Sequence, residues 1–157
     1  MRRAMRALEL KIPPPLVALL IGTAMWHVSR SGPSLDLPLI VRSVAGLALA
    51  VLGAAIALAG DIEFRRARTT INPWRPHNTS SLVTTGVYRH TRNPMYLGLL
   101  VVLCGWAVFL ASAWPLAGPP AFVLYISRFQ IHPEEGILSA KFGSVYADYA
   151  SRVRRWL

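Results

Sequence analysis

The sequence predicts an all-α integral membrane protein of about four transmembrane helices, finished by an amphipathic helix on the cytoplasmic side. Three observations predict it. The chain of 157 residues is 54% hydrophobic and 15% charged, with a mean hydropathy of +0.41. A water-facing globule usually carries about 25% charged residues, so this chain has too few to clothe one. The charges are also confined, because nearly uncharged stretches alternate with arginine-rich segments. The apolar stretches approach the roughly 20 residues that a helix needs to cross a hydrocarbon layer about 30 Å thick.

A chain of this length has room for one domain, residues 1–157. The first span is expected at about 14–30, opening at Pro14 and carrying His27 near its end. The basic residues before it mimic a signal peptide, but no small-x-small cleavage site follows, and the span is expected to be retained. The second is expected at about 37–60, where Gly46, Ala50, Gly53, Ala54 and Ala57 would let a neighbouring helix approach closely. The third, about 94–113, is uncharged, with Asn93 as its N-cap and Pro94 at its first position. The fourth, about 115–131, is interrupted by Pro119 and Pro120 and contains Arg128.

Charge gives the direction. Arg2, Arg3, Arg6 and Lys11 precede the first span, while Arg65, Arg66, Arg68, Arg75, Arg89 and Arg92 lie between the second and third. Lys141, Arg152, Arg154 and Arg155 follow the fourth, and the opposite side offers only Arg30 and Arg42. The excess of basic residues marks the cytoplasmic side, so both termini and the central loop are expected there. The net charge of +10 therefore points to anionic lipid headgroups. Nucleic acid is not expected as a partner, since the basic residues flank apolar spans instead of forming a face on a soluble scaffold. Cys104 is the single cysteine and cannot form an internal disulfide. His27, His77, His90 and His132 have no zinc-like spacing, and no metal site is expected.

The segments on the cytoplasmic side are expected to carry the chemistry, at about 69–98 and 132–157. The loop from Asp61 to Asn93 is far longer than the roughly 2–8 residues that usually join helices. The helix opening at Asn93-Pro94 presents unpaired N–H groups that suit an anion such as a carboxylate. Alternatively, it is an ordinary cap among headgroups. His132-Pro133-Glu134-Glu135 follows the fourth span, and Pro133 is expected to stop one helix and start the next. Its two carboxylates either complement a helix dipole or bind a cation. In the tail, Leu138, Phe142, Val145 and Tyr149 recur at helical spacing as one apolar face. Such a helix serves as a membrane-surface anchor or as a lid.

Three stretches together resemble the isoprenylcysteine carboxyl methyltransferases and their phospholipid-methyltransferase relatives. The family pattern G-x-Y-R-x-x-R-[HN]-P-x-Y-x-G is matched from Gly86 to Gly98, a glutamate pair by Glu134-Glu135, and F-G-x-x-Y-x-x-Y from Phe142 to Tyr149. A terminal basic-Trp pair, Arg155-Trp156, completes the match, which runs from about Thr69 to the C-terminus. The resemblance implies methyl transfer from S-adenosylmethionine to a lipophilic or small acceptor bearing a carboxylate or thiol, or to a lipid; separately, a monomer is expected, although small-residue faces serve internal and intersubunit packing alike. It implies that Leu82, Val83, Tyr88, Asn93, Pro94, Met95, Tyr96, Gly98 and Glu134 hold the cofactor. Glu135 is the candidate general base, needed only for an amine or hydroxyl acceptor. Where the eukaryotic enzymes place an acceptor-binding arginine, four residues before the cofactor glutamate, this chain has Gln130, with Arg128 nearby; both are candidates to bind the acceptor. The competing readings are a membrane reductase using NADPH and a non-enzymatic membrane scaffold.

Overall fold

A computed structural model describes residues 9–67 and 82–157. Arg2, Arg3, Arg6, Arg68, Thr69, Arg75 and His77, all used above, lie outside them. The described residues are helical and contain no sheet; the one β pairing is an isolated bridge between Ser34 and Ser112. Six α-helices follow in order: α1 Pro14–Ser29, α2 Leu39–Arg66, α3 Pro94–Leu110, α4 Gly118–Ile126, α5 His132–Phe142 and α6 Ser144–Arg152.

The all-helical expectation holds, and of the four spans expected one meets the full crossing length. Among the described residues only α2, of 28 residues, is long and apolar enough to cross a membrane. α1 and α3 are apolar but reach 16 and 17 residues. α1 ends where Arg30-Ser31-Gly32-Pro33 breaks the helix, and α3 ends at Ala111, which turns left-handed with φ 45°. α2 continues past the expected end at Gly60, because no breaker follows and Asp61–Arg65 (2.7 Å) and Glu63–Arg66 (3.1 Å) pair along its last turns. The long central loop is shorter by those residues. The side chains of α2 point outward: Leu39, Ile40, Leu47 and Leu58 are 61–70% exposed. An apolar helix with its large side chains outward and no sheet beside it is consistent with a membrane protein.

The fourth apolar stretch is a succession of helical pitches. A 3-10 turn at Trp114–Ala117 leads into α4, then a π-turn at Ser127–Ile131, then α5. Pro133 does not stop the helix, contrary to expectation. Its missing N–H leaves the Phe129 carbonyl without an α-helical partner, and the Leu10 amide donates to that oxygen at 3.0 Å. The tail departs from expectation too. Gly143, at φ 52°, splits it into α5 and α6, and Tyr146 and Tyr149 are buried while Val145 is 63% exposed.

Two packing systems hold the bundle. Phe122, Ile126 and Ile131 are fully buried and meet Val17 and Met25 of α1 and Tyr96, Leu103 and Ala107 of α3. α2 is joined to α3 by backbone. Its buried residues are Gly46, Gly53 and Gly60, seven apart, facing Gly105, Gly98 and Pro94 of the antiparallel helix. A Cβ on Gly53 would stand 2.5 Å from the Gly98 carbonyl oxygen, and one on Gly105 would stand 2.7 Å from the Gly46 oxygen. Only glycine permits that approach.

Gly53→Leu and Gly98→Val should each force the two helices apart and lower stability by about 1–3 kcal/mol or more. Gly136→Ala, where an added Cβ meets nothing within 4 Å, should be neutral or stabilising by up to about 1 kcal/mol. Thermal unfolding of the purified variants in one detergent checks both.

Candidate functional site

The glycine seam delivers the start of α3 beside the end of α2. Phe64 meets Tyr88 edge to face, with centroids 5.3 Å apart, and Glu63 accepts from the Thr85 hydroxyl at 2.7 Å. Gly86 (φ 57°) packs so closely on the Glu63 carboxyl that a side chain there would strike it. This fixes the 3-10 turn Gly86–Arg89, which buries Tyr88. Burial raises the Tyr88 phenol well above its ordinary value, and the nearby Tyr149, Glu134, Asp61 and Glu63 raise it further.

Asn93 occupies the N-cap position of α3 and Pro94 the first helical position, as expected. The Asn93 side chain does not cap the helix; its amide donates instead to the Arg155 carbonyl at 2.9 Å. Leu97 N–H is the first to bond back, to Asn93. With Pro94 lacking an N–H, the Met95 and Tyr96 amides begin the helix without an intrahelical acceptor.

Tyr96 and Glu134 meet, although 38 residues separate them: the buried Tyr96 hydroxyl donates to Glu134 Oε1 at 2.6 Å. No cation pairs with Glu134 among the described residues. Burial pushes its carboxyl up to about 7; the Tyr96 hydrogen bond opposes the rise and Glu135 adds to it. A carboxylate partly withdrawn from water without a counter-ion carries a desolvation cost that a bound cation would relieve.

Glu135 is engaged differently. Arg155 reaches both its oxygens, at 3.1 and 2.7 Å, and Arg92 lies 3.3 Å away. Arg92 also donates to the Tyr146 hydroxyl at 3.2 Å, and its backbone amide to the Arg154 carbonyl at 3.0 Å. The buried Thr91 adds a bond to the Arg155 carbonyl at 3.3 Å, Tyr149 donates to the Tyr88 carbonyl at 2.7 Å, and Trp156 reaches the Ser127 hydroxyl at 3.3 Å. The tail is thus clasped across the start of α3.

Of the remaining expected site residues, Val83 is buried and Leu82 and Met95 are half-buried next to these elements. Gly98 sits in the α2–α3 seam, against the Gly53 backbone. Arg128 pairs with Glu9 at 3.0 Å, and the fully buried Gln130 donates to the Ile12 carbonyl at 2.7 Å with its own oxygen unpartnered. Both hold the segment before α1. Thr91, Arg92, Arg155 and Glu63 are not among the site residues expected from the sequence. Arg92 and Arg155 stand in the recognised motifs, which was a usable signal; Thr91 and Glu63 carried none.

A family model described as "Phospholipid methyltransferase" matches residues 41–145. It begins in α2, earlier than the Thr69 expected, and stops short of Tyr146. Protein-S-isoprenylcysteine O-methyltransferase B of Arabidopsis thaliana is 34% identical over 111 residues, covering 69% of this chain and 55% of that protein. A probable protein-S-isoprenylcysteine O-methyltransferase of Oryza sativa subsp. japonica is 33% identical over 118 residues, covering 73% and 60%. A 63-residue match to an uncharacterized protein of Haemophilus influenzae is 44% identical and covers 40% of this chain and all of that one. The chain spans 55–60% of the length of these plant relatives. No solved structure matches it significantly.

Glu135→Gln should release the tail, because one change removes the charge that holds both guanidinium groups. Trypsin cleavage after Arg154 and Arg155 should accelerate about tenfold or more, following the population of the opened segment. Asp148→Asn, which alters only the exposed pair with Arg152, should leave the cleavage rate unchanged.

Proposed function

The chain belongs to the phospholipid methyltransferase family, and on that premise we propose that it transfers a methyl group from S-adenosylmethionine to a lipophilic or small acceptor. The observation that carries the proposal is the half-buried Glu134 carboxyl, bonded to Tyr96 and paired with no cation among the described residues. Glu134 is suited to an amino-acid ammonium, and the Met95 and Tyr96 amides to a carboxylate. The rings of Tyr88 and Tyr96 offer faces that attract a sulfonium. Bound there, the cofactor supplies an electrophilic methyl group on sulfur.

The residues of the chain bind, orient and exclude water. In this reading the tail, tied to Glu135 through Arg92 and Arg155, shields the position from solvent. Holding acceptor and methyl carbon in line can supply roughly 7–11 kcal/mol of the barrier, so the rigidity of Tyr96, Glu134 and the tail serves the rate directly. A carboxylate or thiolate acceptor needs no base. Both Glu135 oxygens face Arg155, which favours a positioning role over proton abstraction. Arg128 and Gln130, on the turn just before Glu134, are proposed to orient the acceptor's polar end.

The proposal includes a membrane setting in which α1, α2, α3 and the Trp114–Ile131 stretch are embedded, with both termini and the Tyr96–Glu134 end cytoplasmic. The apolar outer surface of α2 and the distribution of basic residues support it. The acceptor then reaches the site from the bilayer and the cofactor from the cytoplasm.

Calorimetry on detergent-purified protein should show S-adenosylmethionine and S-adenosylhomocysteine binding, with Glu134→Gln weakening both at least about tenfold. The free carboxyl lies near 7, above its ordinary 4.5, so it is protonated below that pH. An ammonium requires it ionised. Affinity should therefore fall about tenfold from pH 8 to pH 6, with uptake of the ligand at pH 6 releasing about one proton. The same raised value favours the folded ligand-free protein below pH 4.5, a contribution lost as pH rises through 7. Both dependences should vanish in Glu134→Gln. Saturable NADPH binding in place of the adenosyl compounds would contradict the proposal.

A further inference from the structure

Between α1, α2 and α3 runs a groove of about 800 Å³ that reaches the end of the bundle away from Glu134. Its walls include Trp26 of α1, Ser43 and Leu47 of α2, and Trp106 and Phe109 of α3. It opens sideways, since the lining residues Leu19 and Leu47 are 65% and 67% exposed. At 1.5 Å per residue Phe109 stands roughly 20 Å along α3 from Tyr96. A headgroup held at the Trp26 and Phe109 end is therefore remote from Tyr96.

The mouth of this groove is cationic. The Arg30 guanidinium lies over the Trp26 ring, 5.0 Å from its centroid, and the Arg42 guanidinium over the Phe109 ring at 6.0 Å. Both rings belong to the groove wall. Neither arginine pairs with a carboxylate among the described residues, Asp36 of the 31–38 turn included. The Nε of Arg42 is buried with no hydrogen-bond partner. A buried guanidinium N–H without an acceptor costs free energy that a bound oxyanion would recover.

We propose that this groove is a binding site for a glycerophospholipid with a net negative headgroup. An acyl chain lies among Trp26, Leu47 and Trp106, and the phosphate accepts hydrogen bonds from Arg42 and Arg30. Charge complementarity selects this occupant: an apolar slot ends at two guanidinium groups that pair with no carboxylate among the described residues, and their planar fork suits phosphate oxygens. In the proposed orientation the lipid belongs to the extracytoplasmic leaflet. The site is independent of methyl transfer and joins the three helices whose packing positions the Tyr96 end.

Trp26 and Trp106 make the site directly observable. Full-length protein in zwitterionic detergent is titrated with brominated phosphatidylglycerol or brominated phosphatidylcholine, and tryptophan quenching is followed. Phosphatidylglycerol should reach half its effect at a mole fraction about tenfold lower, as two cations near a membrane surface imply. Arg30→Gln with Arg42→Gln should abolish the difference, and Trp26→Phe should reduce the quenching amplitude. Equal quenching of wild type by the two lipids overturns the proposal. So does a preference that survives the double substitution, or a purified dimer whose groove excludes both lipids, which would make a second copy the occupant. The wild-type comparison decides the matter even where a variant folds poorly.

Discussion

The backbone contact between α2 and α3 is the constraint on which the rest of the structure depends. Glycines seven residues apart on α2 meet glycines seven apart on α3, so the two helices lock in one antiparallel register. That register sets Gly60 against Pro94 and fixes where α3 begins relative to the extended end of α2. Phe64 and Glu63, on the turn beyond the apolar part of α2, then build the floor under Tyr88 and Gly86. A looser contact, with side chains at the seam, would move the start of α3 by more than a catalytic geometry tolerates.

A second tension is resolved above that seam. Glu134 is brought to Tyr96 by an almost unbroken helical run from Trp114 to Phe142, whose π-turn accommodates Pro133 with help from the Leu10 amide. A π-turn at such a place re-aims the residues that follow it. Adjacent glutamates thereby receive opposite environments. Glu135 faces Arg92 and Arg155 and ties down the tail, while among the described residues Glu134 is met by the Tyr96 hydroxyl and no cation. One ties down the tail, and the other is the carboxylate that the proposed cofactor's ammonium would neutralise.

Much of this was legible in the sequence because local rules govern it. Asn93-Pro94 marks a helix start by capping preference, and the helix starts there. The uncharged stretches mark apolar helices, and α1, α2 and α3 lie within or across the ranges expected. The family motifs single out Tyr96 and Glu134 separately, and the structure brings the two into contact. The misses concern non-local compensation. Pro133 looked like a helix stop because its remedy comes from Leu10, more than a hundred residues earlier. The tail looked like one helix because periodicity does not register the left-handed Gly143. Asn93 looked like a side-chain cap, and its amide was instead taken by the tail. The glycine spacing on α2 was visible as a small-residue face, but its register required the opposing helix.

The account is tested most directly by photochemical cross-linking of methyl-labelled S-adenosylmethionine to the protein, followed by peptide mapping. Label should enter the peptides that contain Tyr88–Gly98 or Glu134, and excess S-adenosylhomocysteine should remove it. Label confined to other segments, or absent from folded protein at saturating cofactor, would contradict a cofactor site centred on Tyr96 and Glu134.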